Sequence, residues 1–228
     1  MKKSFLFSAF TLFLSLVFVG CDEPKDPIIE SVNINNLVYR LDTDMMTAEV
    51  TGLGSSANRQ LTIPSVVVYQ NQQYNVNKVA SYAFQFSDIT SLTIPASVDY
   101  IGAYAIDGCM NLTSVKIEDS PNSLTWDKFQ IAESLIEIPN IYVGRNLTGY
   151  IHTLPEELTL GTYVTSLSID IKFYGPVTIR SYAATPPVLN VTGVPRFFSD
   201  SNVYVPSTSI NAYRQAEIWK DFSNLNAF

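Results

Sequence analysis

Residues 79–95 read VASYAFQFSDITSLTIP, and residues 101–118 return as IGAYAIDGCMNLTSVKIE, one residue longer. With one gap, Tyr82 aligns with Tyr104, Ala83 with Ala105, Thr90 and Ser91 with Thr113 and Ser114, and Ile94 with Ile117. A unit of 22–23 residues cannot close a core of its own, so it must bury its apolar face on neighbouring copies. The chain is therefore expected to coil into a solenoid. Within each copy, ITSLTIP and LTSVKIE alternate with period two. Ile89/Leu112, Leu92/Val115 and Ile94/Ile117 are expected to face in, and Ser91/Ser114 and Thr93/Lys116 out. SYAFQFS and AYAIDGCM place apolar groups three to four apart, which predicts one helical or 3-10 turn opposite each strand.

The pattern continues in decayed form as SLIEIPNIYVGRN, ELTLGTYVTSLSI and VTIRSYAATPPVL, at start-to-start spacings of about 17 to 26 residues. Ahead of it, residues 28–77 alternate like strands between turn signals at Asn35-Asn36, Asp42-Thr43-Asp44 and 52–58. LTIPSVVVYQNQQYNVNKV predicts two strands joined at Asn71-Gln72-Gln73, a hairpin expected to cover the open end of the stack. At the other end, a helix is predicted from about Ser209 to Trp219, capped by Thr208 or Ser209.

The N-terminus carries a different message. Lys2 and Lys3 precede an apolar run from Phe5 to Val19, which would reach about 22 Å as a helix. A membrane span needs about 20 residues, so the segment reads as a secretory signal at 1–20 rather than an anchor. Leu16-Val17-Phe18-Val19-Gly20-Cys21 resembles the lipobox of bacterial lipoproteins, in which cleavage after Gly20 would leave a diacylated Cys21. More than one acyl chain anchors stably where one is marginal. Residues 21–30, with Asp22, Glu23, Pro24 and Pro27, form an acidic tether that cannot pack. Asp22 and Glu23 resemble the outer-leaflet export signal of Bacteroidetes-type lipoproteins, which implies an outer-membrane, cell-surface location.

Cleavage would remove Lys2 and Lys3 and leave 12 basic against 21 acidic residues, a formal −9. Such a body repels phosphate backbones, so nucleic acid is not an expected partner. Apolar residues at 46% against 15% charged are enough for a folded core. With Cys21 acylated, Cys109 has no partner, and the fold is expected to need no disulfide.

Ile94-Pro95, Ile101-Gly102, Ala105-Ile106, Gly108-Cys109 and Leu112-Thr113-Ser114-Val115 together resemble the BspA-type leucine-rich repeat family. Thr185-Pro186-Pro187, Tyr204-Val205-Pro206 and Tyr213 through Phe222 resemble the terminal unit of its secreted members. The resemblance spans roughly residues 60–228. It implies a β-rich, leucine-rich-repeat-like solenoid of short parallel strands and short helical or 3-10 turns. A β-strand cap is expected at 31–77, repeats at 78–190 and a C-terminal cap with one short helix at 191–228. It also implies a non-enzymatic surface or periplasmic lipoprotein, in a family linked to adhesion and protein binding.

No catalytic, metal or cofactor constellation emerges. His152 has no companions that would make it a base or a ligand, and Cys109 falls at a core-facing repeat position. Asp42, Asp44 and Glu49 lack the spacing of a calcium loop and read as a solvated turn. The expected binding residues are the outward strand positions Ser91, Thr93, Ser114, Lys116, Thr159 and Thr178. The partner is a protein in the leading reading and a glycan in the second. A hydrolase built on Glu156 and Glu157 is a weaker third.

Overall fold

The computed structural model describes residues 27–56, 58–127, 138–149, 155–170, 176–192 and 200–228. In chain order these contain β1 (Ile28–Ile34), β2 (Leu37–Asp42), β3 (Thr47–Leu53), β4 (Gln60–Thr62), β5 (Val66–Tyr69) and β6 (Gln72–Val79). Next come β7 (Ser91–Ile94), β8 (Tyr100–Ile101), β9 (Ser114–Ile117), β10 (Leu124–Trp126), β11 (Asn140–Val143) and β12 (Leu147–Thr148). The last are β13 (Glu157–Leu160), β14 (Ser166–Asp170), β15 (Thr178–Ser181), β16 (Val188–Thr192), β17 (Asn202–Val205), the helix α1 (Ile210–Gln215), a 3-10 turn (Trp219–Asp221) and β18 (Asn224–Ala227).

They coil into a β-solenoid. One wall is a ladder of eight strands, β4-β7-β9-β11-β13-β15-β17-β18, in which every pairing is parallel. Its register aligns Leu61, Leu92, Val115, Ile141, Leu158, Ile179, Val203 and Leu225 in one inward column. Chain spacing along that column varies widely, yet the column stays straight because the extra residues lie in the connections. Ile94, Ile117, Val143 and Leu160 form a second inward column, ending at the buried Ser181. Each fully buried aliphatic side chain contributes about 1.5–3 kcal/mol, an upper estimate for a realistic unfolded chain. The predicted inward set, Ile89, Leu92, Ile94, Leu112, Val115 and Ile117, is buried throughout.

The opposite wall runs β1-β2-β3-β6-β8-β10-β12, with β5 on β6, and is followed by the parallel pair β14-β16. The Asn146 carboxamide bridges the two: its oxygen accepts from the Thr165 and Ser166 N–H groups at 2.8 and 3.1 Å.

Three expectations change. The β5–β6 hairpin turns at Gln70-Asn71 (φ 48° and 63°), one residue earlier than predicted. It belongs to the wall, and the antiparallel meander β1–β2–β3 forms the end of the stack. Asn35-Asn36, at φ 51° and 65°, makes the first reversal of that meander, where both central residues need positive φ.

The segments opposite the strands are not helical. Tyr82, Phe86, Tyr104 and Gly108 all adopt positive φ (62°, 56°, 59° and 68°), which breaks any right-handed turn. The N–H groups of Tyr82, Phe84 and Phe86 instead donate to the Ala103, Ala105 and Asp107 carbonyls of the next copy, at 3.1, 2.8 and 2.8 Å.

The C-terminal helix stops at Gln215, and Ser209 holds the N-cap position without a side-chain capping bond. Ala216, extended at φ −73° and ψ 141°, ends the helical path, and Ile218 at φ 71° starts the 3-10 turn. There the buried Tyr213 hydroxyl bonds Ser181 Oγ at 2.7 Å and donates to the Ala183 carbonyl at 2.8 Å. The one polar side chain in the inward column therefore has its partner.

Candidate functional site

Strand pleating sends alternate residues of the ladder outward, and the parallel register stacks them in two columns. The first holds Gln60, Ser91, Ser114, Asn140, Glu157, Thr178, Asn202 and Asn224. Thr62, Thr93, Lys116, Tyr142, Thr159, Arg180, Tyr204 and Asn226 make up the second. At about 4.8 Å per strand each column runs roughly 34 Å. All of these residues are half-buried or exposed.

The structure brings all six sequence-predicted residues onto this face, Ser91, Ser114 and Thr178 in one column and Thr93, Lys116 and Thr159 in the other. Sequence reasoning missed the residues that give the face its chemistry. Lys116 Nζ stands 5.9 Å from the Tyr142 ring centroid, and the Arg180 guanidinium 4.7 Å from that of Tyr204. Arg180 Nε also donates to Glu157 Oε1 at 2.9 Å. The Tyr142 hydroxyl donates to Asp119 Oδ2 at 2.6 Å, and partial burial together with that bond pushes its pKa up to about 12. Two cation–ring pairs thus stand in the column on either side of Thr159, each ring holding a flexible cation in place. Between them a depression of about 90 Å³ is lined by Ser114, Asn140, Tyr142, Glu157 and Thr159. The signal was available: IYV, TIR and VYV keep the same alternation as SLTI, with Tyr, Arg and Tyr at the outward position.

The remaining candidates find other uses. Cys109 is fully buried, its thiol 3.4 Å from Ser87 Oγ and donating to the Phe84 carbonyl at 3.1 Å. Burial pushes that thiol up in pKa, away from the reactive thiolate. Asp42 Oδ1 accepts from the Asp44 and Met45 N–H groups at 3.0 and 2.8 Å, stabilising its own turn, and Glu49 pairs with Arg40 across β2 and β3. Among the described residues no group of His, Cys, Asp and Glu is arranged to hold a metal, and no helix is long and apolar enough to cross a membrane. Glu157 is engaged with Arg180, while Glu156 is exposed just before β13. Gly20, Cys21 and His152 lie outside the described residues.

Residues 47–148 match the BspA type leucine rich repeat region in 6 copies. Among solved structures the chain is similar to a leucine-rich repeat protein from Bacteroides capillosus ATCC 29799. The two are 23% identical over 74% of this chain and 100% of that one, with a TM-score of 0.44. A leucine-rich repeat protein from Bacteroides ovatus ATCC 8483 is 19% identical over 86% of this chain and 61% of that one, with a TM-score of 0.40. A leucine rich cell surface protein from Faecalibacterium prausnitzii A2-165 is 16% identical over 90% of this chain and 73% of that one, also at 0.40. No curated protein matches the chain.

Proposed function

We propose that the chain, whose residues 47–148 match the BspA type leucine rich repeat region, is a non-enzymatic, surface-exposed lipoprotein whose outward ladder face binds a protein. One observation carries the reading. Parallel sheets ordinarily have both faces covered, whereas this eight-stranded one covers its inward face and leaves the other to solvent. The open face offers Tyr142, Tyr204 and Arg180, residue types enriched at protein interfaces, on a strand ladder that needs little ordering on binding. Lipid on Cys21 and the acidic tether would hold that face off the membrane.

The partner is sought by capture from surface proteins of the same community onto immobilised protein, then identified and purified. Tyr142→Ala with Tyr204→Ala is expected to weaken that purified partner by about 10- to 100-fold, the loss of one or two hot spots. The Tm should stay within about 4 °C, since both rings are only half-buried. Unchanged affinity would refute the face as the contact surface, and an equal loss of Tm and binding would assign the rings to folding instead.

Anchoring is checked separately. Cys21→Ser is expected to move the protein from the membrane fraction to the soluble fraction. Retention in the membrane would refute lipid attachment at that position.

A further inference from the structure

The ladder ends on β18, whose outer edge pairs with no strand among the described residues. The Phe228 N–H donates to the Val205 carbonyl at 3.0 Å, and the Phe228 carbonyl accepts from the Ser207 N–H at 3.2 Å. Backbone groups alternate in direction along a strand, so Asn224 and Asn226 also turn theirs toward β17. Leu225 and Ala227 turn theirs to solvent, two donors and two acceptors. Exposed edges are ordinarily blunted by charge, bulges, proline or shortness. At the other end of the ladder, β4 has only three residues and spends the Gln60 N–H on Asn58 Oδ1 at 3.1 Å. β1, the edge of the opposite wall, carries Glu30 and a register shift around Ser31, which sits at φ 57°. None of these devices protects β18. Asn224-Leu225-Asn226-Ala227 is uncharged, as long as the rungs inside the ladder, and in register with β17 throughout. Its inward positions are uncovered as well: Leu225 is half-buried and Ala227 exposed, whereas Val203 and Val205 on β17 are fully buried.

We infer that β18 pairs antiparallel with β18 of a second copy, about a two-fold axis at Asn226. The free backbone groups select this arrangement. Leu225 of each copy faces Ala227 of the other as a hydrogen-bonded pair, so every free group of the edge is used. The inward side chains then oppose large against small and cover one another's open positions. Asn226 meets its own counterpart at the non-hydrogen-bonded site, with Cα atoms about 4.5 Å apart. A charge at that site would repel its own copy in any symmetric pair, and this chain of net charge −7 places none in the strand. Phe228, 49% exposed and leaning on Tyr182 at 5.1 Å between centroids, falls opposite Asn224 of the second copy and extends the contact. An isologous pairing closes at two copies. Its axis stands perpendicular to the sheet, so both outward faces look the same way and the two ladders become one. The pairing does not depend on what the ladder face binds.

Sedimentation equilibrium of the full chain tests it. A pairing this short buries far less than the roughly 1,200–2,000 Å² of a stable interface, so a monomer–dimer equilibrium with Kd on the order of 0.1–1 mM is expected. Ala227→Pro should weaken it at least about tenfold, because a strand edge tolerates proline where the N–H faces solvent, while the dimer loses both Ala227 N–H bonds. Asn226→Lys and Asn226→Asp should each weaken self-association by about three- to fivefold, as like charges meet across the axis, and an equimolar mixture of the two should recover it. Tm of the Asn226 variants should stay within about 2 °C of the parent, since the side chain is exposed. A monomer at every concentration, an association untouched by Ala227→Pro, or a mixture that fails to recover would each overturn the inference. Growth beyond two copies would overturn it too, because a two-fold pairing cannot propagate.

Discussion

Trp219→Ala is expected to destabilise the protein by about 3–5 kcal/mol, the range for truncating a buried aromatic to a methyl group. Trp219 is 1% exposed, meets Tyr213 edge-on at 4.9 Å between centroids and leans on Phe222 at 5.9 Å. Its indole N–H donates to the Pro187 carbonyl at 2.7 Å, tying the 3-10 turn back to the segment before β16. The substitution therefore empties the centre of the C-terminal packing and orphans a buried carbonyl. At about 2–4 °C per kcal/mol for a domain of this size, Tm should fall by roughly 6–20 °C. Trp219→Phe separates the parts: it keeps a ring and loses the hydrogen bond, worth about 1 kcal/mol. A drop under about 2 °C for the alanine variant would mean that the C-terminal packing does not close the stack.

The second large effect is predicted at Arg145. The side chain is fully buried, with Nη1 and Nη2 donating to the Ala96 and Pro95 carbonyls at 3.0 and 2.8 Å, while Nε has no hydrogen-bond partner. Burial lowers its pKa, and the nearby Asp99 and Glu118 favour the charged form. Arg145→Ala takes the guanidinium donor from the Ala96 carbonyl, leaves the Pro95 carbonyl only its bond from the Val98 N–H, and opens a cavity, a combined cost of about 2–5 kcal/mol, read from the urea midpoint at unchanged m. Buried ion pairs can often be exchanged for apolar groups without loss, but here the acceptors are backbone and remain. Arg145→Met should accordingly recover less than half of the deficit. Full recovery would show that volume alone matters at this position.

The strands were legible because one apolar residue in two is a strong instruction, and the inward columns follow from it. The six chosen outward residues proved to be neighbours for the same reason: once a strand's face is known, parallel register aligns it with the next. Tyr142, Arg180 and Tyr204 were passed over because they stand in decayed copies, where the motif no longer marks the rung. The turn segments misled for a physical reason. Apolar groups three to four apart suit a helix, and only Gly108 advertises the left-handed backbone that Tyr82, Phe86 and Tyr104 share with it. Arg145 had no signal, since a guanidinium normally marks the surface and its partners lie 49 and 50 residues away.

The straight inward column with its uneven connections has a consequence for how such a molecule can change. Each rung touches only the rungs beside it, so a residue gained or lost in a connection leaves the neighbouring register intact. Length and outward chemistry can then vary separately, one rung at a time, while the interior keeps a single rule. The ladder is a rack whose slots can be refilled without rebuilding the frame.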